Sequence, residues 1–101
     1  MFEALTKKII SLVDARAVFL FGSQASGKAK ENSDVDLCVI APTDCKRETL
    51  SLLYLELDYE KPVDIILYTP EEWARLVEDD SSFAHKISES GVLLYGGQQN
   101  I

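Results

Sequence analysis

Two carboxylates one residue apart, Asp34 and Asp36, follow the dipeptide Gly22-Ser23 after ten intervening residues, and a third, Asp64, opens the apolar run VDIILY. An Asp-x-Asp pair entering a strand projects both side chains to one face of it. Three carboxylates brought close together repel one another unless a cation neutralises them. Oxygen-only ligands select hard ions, Mg2+ above all when phosphate is present. Two such ions can clamp an in-line displacement at phosphorus, one easing deprotonation of an attacking hydroxyl and the other holding leaving pyrophosphate. A glycine-serine turn beside them would hold phosphate oxygens through backbone N–H groups and the Ser23 hydroxyl.

The chemistry requires the chain to bring these segments together. Ala17–Phe21 is an apolar run stopped by Gly22-Ser23, and Asp34–Ala41 is a second run, stopped by Pro42. Both carry strand signals. Residues 45–60 place Leu50, Leu53, Tyr54 and Leu57 at helical spacing, with an N-cap offered by Pro42-Thr43-Asp44. After Pro62, Val63–Tyr68 reads as a third buried strand. A helix of about four turns between strands two and three suits a parallel crossover, normally right-handed. Parallel strands start at the same sheet edge, which places Asp64 beside Asp34 and Asp36. With strands one and two antiparallel, Gly22-Ser23 reaches that edge too.

The remaining segments supply cover. Phe2, Leu5, Ile9, Leu12 and Val13 share a helical face, so residues 2–13 form an amphipathic helix. Thr69-Pro70-Glu71-Glu72 is a capping box with proline at the first helical position, predicting a helix to about Glu78 with Trp73, Leu76 and Val77 inward. Ser81 or Ser82 caps a last short helix closed by Gly91, and Val92–Tyr95 adds an edge strand. The expectation is an α/β (α+β) domain with a mixed four-stranded sheet and flanking helices, occupying 1–95, with 96–101 as a flexible tail.

Bulk properties narrow the classes. At 101 residues there is room for one domain. Seventeen acidic against ten basic residues give a net charge of -7, which argues against a nucleic-acid footprint and against an anionic membrane surface. Cys38 and Cys45 make no disulfide framework, and no secretory or membrane-spanning pattern is seen, so a reducing cytoplasm is expected. Gly22–Lys28 (GSQASGK) matches the first seven positions of a P-loop, but Ala29 stands where Ser or Thr should hold Mg2+, and Asp34 begins a strand where a long helix should run. His85 reads as a satisfied histidine, Cys38 as a small core residue, and Trp73 and Tyr54 as packing groups. The acidic stretches Glu56–Glu60 and Glu78–Asp80 read as solvated faces.

With Gly22-Ser23, ten residues, then Asp34-Val35-Asp36, followed by the Pro62–Ile66 strand and the closing Ile87…Gly91–Tyr95 stretch, the chain resembles a minimal nucleotidyltransferase of the DNA polymerase beta-like superfamily. The resemblance spans nearly the whole chain. It implies that superfamily's fold, ATP or another NTP as donor, Mg2+ in two sites, and transfer of a nucleoside monophosphate to a hydroxyl. It makes Asp34 and Asp36 metal ligands, has Asp64 complete the site beside the nucleophile, and puts Gly22 and Ser23 on the triphosphate. Many relatives carry Arg or an aromatic residue after Gly-Ser and a basic residue before the second glycine. Here these are Gln24 and Ser26, so Lys28 or Lys30 is left to supply the charge, and Lys28 joins the nucleotide-binding set. Proteins of this size are often paired with a HEPN-domain ribonuclease toxin, the nucleotidyltransferase being the antitoxin and a toxin tyrosine its acceptor. Neutralisation by occlusion alone, and transfer to a small-molecule or RNA hydroxyl, are the alternatives.

Overall fold

The computed structural model describes residues 2–30 and 33–96. The elements run α1 (Glu3–Leu12), β1 (Ala17–Phe21), α2 (Ser23–Ser26), β2 (Val35–Ile40), α3 (Lys46–Glu56), β3 (Val63–Tyr68), α4 (Pro70–Leu76), α5 (Phe83–Ser90) and β4 (Val92–Gly96). The sheet order is β3-β2-β1-β4, with β1 antiparallel to both β2 and β4, and β2 parallel to β3. This is the mixed four-stranded sheet with flanking helices that the apolar runs imply.

Alternation along the strands divides the sheet into two apolar faces. Val18, Leu20, Val35, Leu37, Val39, Ile65 and Leu67 lie on one, packed with Leu5 and Ile9 of α1 and Leu53 of α3. Burying side chains of this size stabilises by about 1.5–3 kcal/mol each. The other face carries Ala17, Phe19, Phe21, Cys38, Ile40 and Tyr68 and packs with Trp73 of α4 and Ile87 of α5. Asp36, two residues before Cys38, belongs to this second face. Backbone bonds bracket the parallel pair: Val35 N–H donates to Pro62 O at 2.9 Å, and Ala41 N–H to Tyr68 O at 3.0 Å.

Some boundaries differ from the sequence reading. The central helix stops at Glu56, because Leu57 adopts an extended backbone. Leu57 and Tyr59 then turn toward the core while Asp58 and Glu60 face solvent, the alternation of an extended segment. Its N-cap is Cys45, one residue past the Pro42-Thr43-Asp44 stretch expected to supply it, and the nearby hydroxyl is that of Thr43, which accepts from Cys45 N–H at 3.1 Å. The α4 capping box forms as expected, although the helix ends at Leu76. Ser82, of the two candidate serines, caps α5 by accepting from His85 N–H at 3.0 Å. Gly91 ends α5 in extended backbone. A Cβ there would press on the carbonyl oxygens of Ile87 and Leu20. Gly96, assigned to the tail, closes β4; residues 97–101 lie outside the described residues. Among the described residues no helix is long and apolar enough to cross a membrane.

Candidate active site

Strand register assembles the site. Phe21, the last residue of β1, pairs with Asp36 of β2, and Asp36 pairs with Asp64 of β3. Gly22-Ser23 follows Phe21 at the same edge, and Asp34 precedes β2 by one residue. The glycine-serine turn and the three acids, drawn from three separate stretches of sequence, therefore converge as the topology argument requires.

Turn and acid touch. Gly22 has φ 77° and ψ -153°, a conformation essentially closed to residues with a Cβ. A Cβ at this position would also collide with the Asp36 carboxylate. Beyond it, α2 is a single turn in which Ala25 and Ser26 N–H both donate to Gly22 O at 3.1 Å. That leaves the amides of Ser23 and Gln24 outside the turn's own hydrogen bonding. Gly27, left-handed at φ 80°, closes the turn, so the P-loop match is a coincidence of letters. The Gln24 side-chain amide donates to Ser33 O at 3.3 Å, and Lys30 N–H to Ser33 Oγ at 2.7 Å, tying the turn to the entrance of β2. Lys28 and Lys30 are exposed, and Lys28 is fixed through its backbone N–H, donated to Ser23 O at 3.1 Å.

Asp36 is half-buried, whereas Asp34 and Asp64 are exposed. Burial pushes the Asp36 carboxyl above the ordinary range, and the negative charges of Asp64 and then Asp34 push it further. A carboxylate made costly by its neighbours is one that a cation would relieve. Among the described residues no three His, Cys, Asp or Glu side chains are gathered into a group that could hold a metal ion as they stand. The donor set is all oxygen and its uncompensated charge falls on Asp36, so these residues fit a hard divalent ion.

Two residues outside the expected site set, Tyr54 and Phe21, contribute at this edge. Tyr54 is 49% exposed, and its hydroxyl accepts from Ile65 N–H at 2.8 Å, holding the peptide that follows Asp64. Phe21 flanks Asp36 and packs edge-on against Phe83, at 5.4 Å between ring centroids. The alternation Ala17-Phe19-Phe21 carried the signal for Phe21; nothing in the sequence pointed to Phe83. His85 donates through Nδ1 to Val77 O at 2.9 Å and is satisfied away from the acids. Cys38 is buried, with its thiol pushed up to about 12 by desolvation. A cavity of about 1100 Å³ opens on the same sheet face at the opposite end of the strands, lined by Ala17, Phe19, Ile40, Trp73 and Val77 among others, and it contains none of the site acids.

The fold is thus a mixed sheet that presents a Gly-Ser turn to strand carboxylates. The family model described as "Polymerase beta, Nucleotidyltransferase" matches residues 3–100, and the chain belongs to that family. It is 35% identical over 88 residues to the Haemophilus influenzae protein named "Probable protein adenylyltransferase MntA", a match covering 83% of this chain and 73% of the relative. Among solved structures, a Sulfolobus solfataricus protein described as a nucleotidyltransferase superposes with a TM-score of 0.65 at 17% identity, over 96% of this chain and 78% of that one. A toxin-antitoxin solved with AMP-PNP gives a TM-score of 0.55 at 25% identity, over 93% and 75%.

Proposed function

We propose that this protein is a metal-dependent adenylyltransferase that moves AMP from ATP to a tyrosine hydroxyl of a HEPN-domain toxin and thereby acts as the antitoxin of the pair. The observation that carries the reading is the register Phe21–Asp36–Asp64, which sets the glycine turn against one carboxylate and a second carboxylate beside it. The 35% identity to the protein named "Probable protein adenylyltransferase MntA" and the likeness to a toxin-antitoxin solved with AMP-PNP support this choice of donor and partner.

Asp36 and Asp64, with Asp34, are the residues that would hold Mg2+. Bound there, Mg2+ would make the attacking hydroxyl more acidic and offset the charge of departing pyrophosphate. Gly22 lets the chain pass close to Asp36 and opens the α2 turn, whose amides at Ser23 and Gln24, with the Ser23 hydroxyl, receive phosphate oxygens. Lys28, beyond Gly27, adds an exposed positive charge at the same turn. Asp64, exposed on the edge strand β3, would complete the site beside the incoming hydroxyl. The net charge of -7 favours a protein acceptor over RNA held by this chain alone.

The test is intact-mass measurement of the HEPN partner after incubation with this protein, ATP and Mg2+. One adenylyl group should be added per modified tyrosine, and none with Asp36→Ala. Rescue of growth by an Asp34→Ala/Asp36→Ala protein, with no mass change produced by the wild type, would establish occlusion instead.

A further inference from the structure

Of the aromatic pair beside the acids, Phe21 is half-buried and Phe83 is exposed. Phe83 is the first residue of α5, yet the helix is anchored by Ala84 and Ile87, both essentially buried, while Phe83 remains 48% exposed. Its ring meets Phe21 edge-on, with an interplanar angle of 86°, a contact made through one part of the ring. Phe21 is the residue that pairs with Asp36 and precedes Gly22. An exposed aromatic ring is thus attached to the phosphate end of the site, on the β1 side of Asp36.

Asp64 lies on the other side of Asp36, toward β3. The geometry points to Phe83, supported by Phe21, as the platform on which the donor nucleobase stacks once the triphosphate occupies the Gly22-Ser23 turn. This deepens the reading above and rests on it. The sidedness selects the ligand: the ring borders the strand that feeds the phosphate turn, on the opposite side of Asp36 from Asp64. A stacking platform reads a π face rather than a hydrogen-bonding edge, so it accepts purine triphosphates generally and favours large bases.

Calorimetric titration of the chain in Mg2+ with AMP-PNP and, separately, inorganic tripolyphosphate tests the assignment. Phe83→Ala should weaken AMP-PNP binding about tenfold, the scale of one base–aromatic stack, and leave tripolyphosphate binding unchanged. Phe83→Leu, which keeps an apolar contact with Phe21 but has no π face, should behave as Phe83→Ala does, and Phe83→Trp should restore affinity. Equal AMP-PNP affinity in wild type and Phe83→Leu would overturn the platform. Unchanged AMP-PNP affinity with a raised KM for the acceptor would assign the ring to the acceptor instead. Wild-type protein that binds neither probe would refute the triphosphate site itself, and the platform with it.

Discussion

Replacing Gly22 by alanine should damage the protein in two separable ways. The backbone at φ 77°, ψ -153° lies in a region that a Cβ residue occupies only at about 1–3 kcal/mol. The added methyl also meets the Asp36 carboxylate, which must leave its rotamer at a further cost of about 0.5–1.5 kcal/mol. In a domain of this size each kcal/mol shifts Tm by roughly 4–8 °C, so the combined cost of about 1.5–4.5 kcal/mol lowers Tm by roughly 6–36 °C. Asp36→Ala removes the second cost and leaves the first. Thermal melts of wild type, Gly22→Ala, Asp36→Ala and the double variant, without divalent ions, should therefore show a coupling of about 0.5–1.5 kcal/mol, with the double variant more stable than the sum of singles predicts. A Gly22→Ala protein as stable as wild type, or strict additivity, would refute the claim that turn and acid are packed together.

Other outcomes follow from the same coordinates. Because burial, Asp64 and Asp34 raise the Asp36 pKa, the folded chain holds that proton more readily than the unfolded one. This stabilisation is complete below the ordinary aspartate value of 3.8 and is lost as pH rises through the raised value. In melts run from acid to neutral pH without metal, Asp36→Asn should remove that part of the slope. A thiol reagent should modify Cys45 in the native protein and reach Cys38 only on unfolding, as one is exposed and the other is buried with its thiol near 12. Tyr54→Phe should lower stability by about 0.5–1.5 kcal/mol in denaturant titration through loss of its bond to Ile65 N–H.

Much of the architecture could be read from local pattern. Ala17–Phe21 and Val63–Tyr68 are strands at the residues where their apolar runs begin and end, because turn residues bound them sharply. The placing of Asp64 beside Asp34 and Asp36 followed from crossover length and the shared starting edge of parallel strands, and the register pairs Asp64 with Asp36. Helix ends were less legible. The leucine spacing of α3 continues through Leu57, but tertiary packing of Leu57 and Tyr59 draws the chain into extended form. What sequence could not show was contact between elements distant in the chain: the Tyr54 hydroxyl on the β3 edge, the Gln24 amide on Ser33, and Phe83 on Phe21. Each depends on how a helix or turn seats on the sheet, which periodicity does not specify.

The central claim is that Asp36 and Asp64 serve one cation site. Mn2+ binding followed by electron paramagnetic resonance in wild type, Asp36→Ala, Asp64→Ala and the double variant addresses it most directly. A shared site predicts that either single replacement removes most of the affinity and that the second removes little more. Single variants that each bind Mn2+ as wild type does, or losses that simply add, would contradict it.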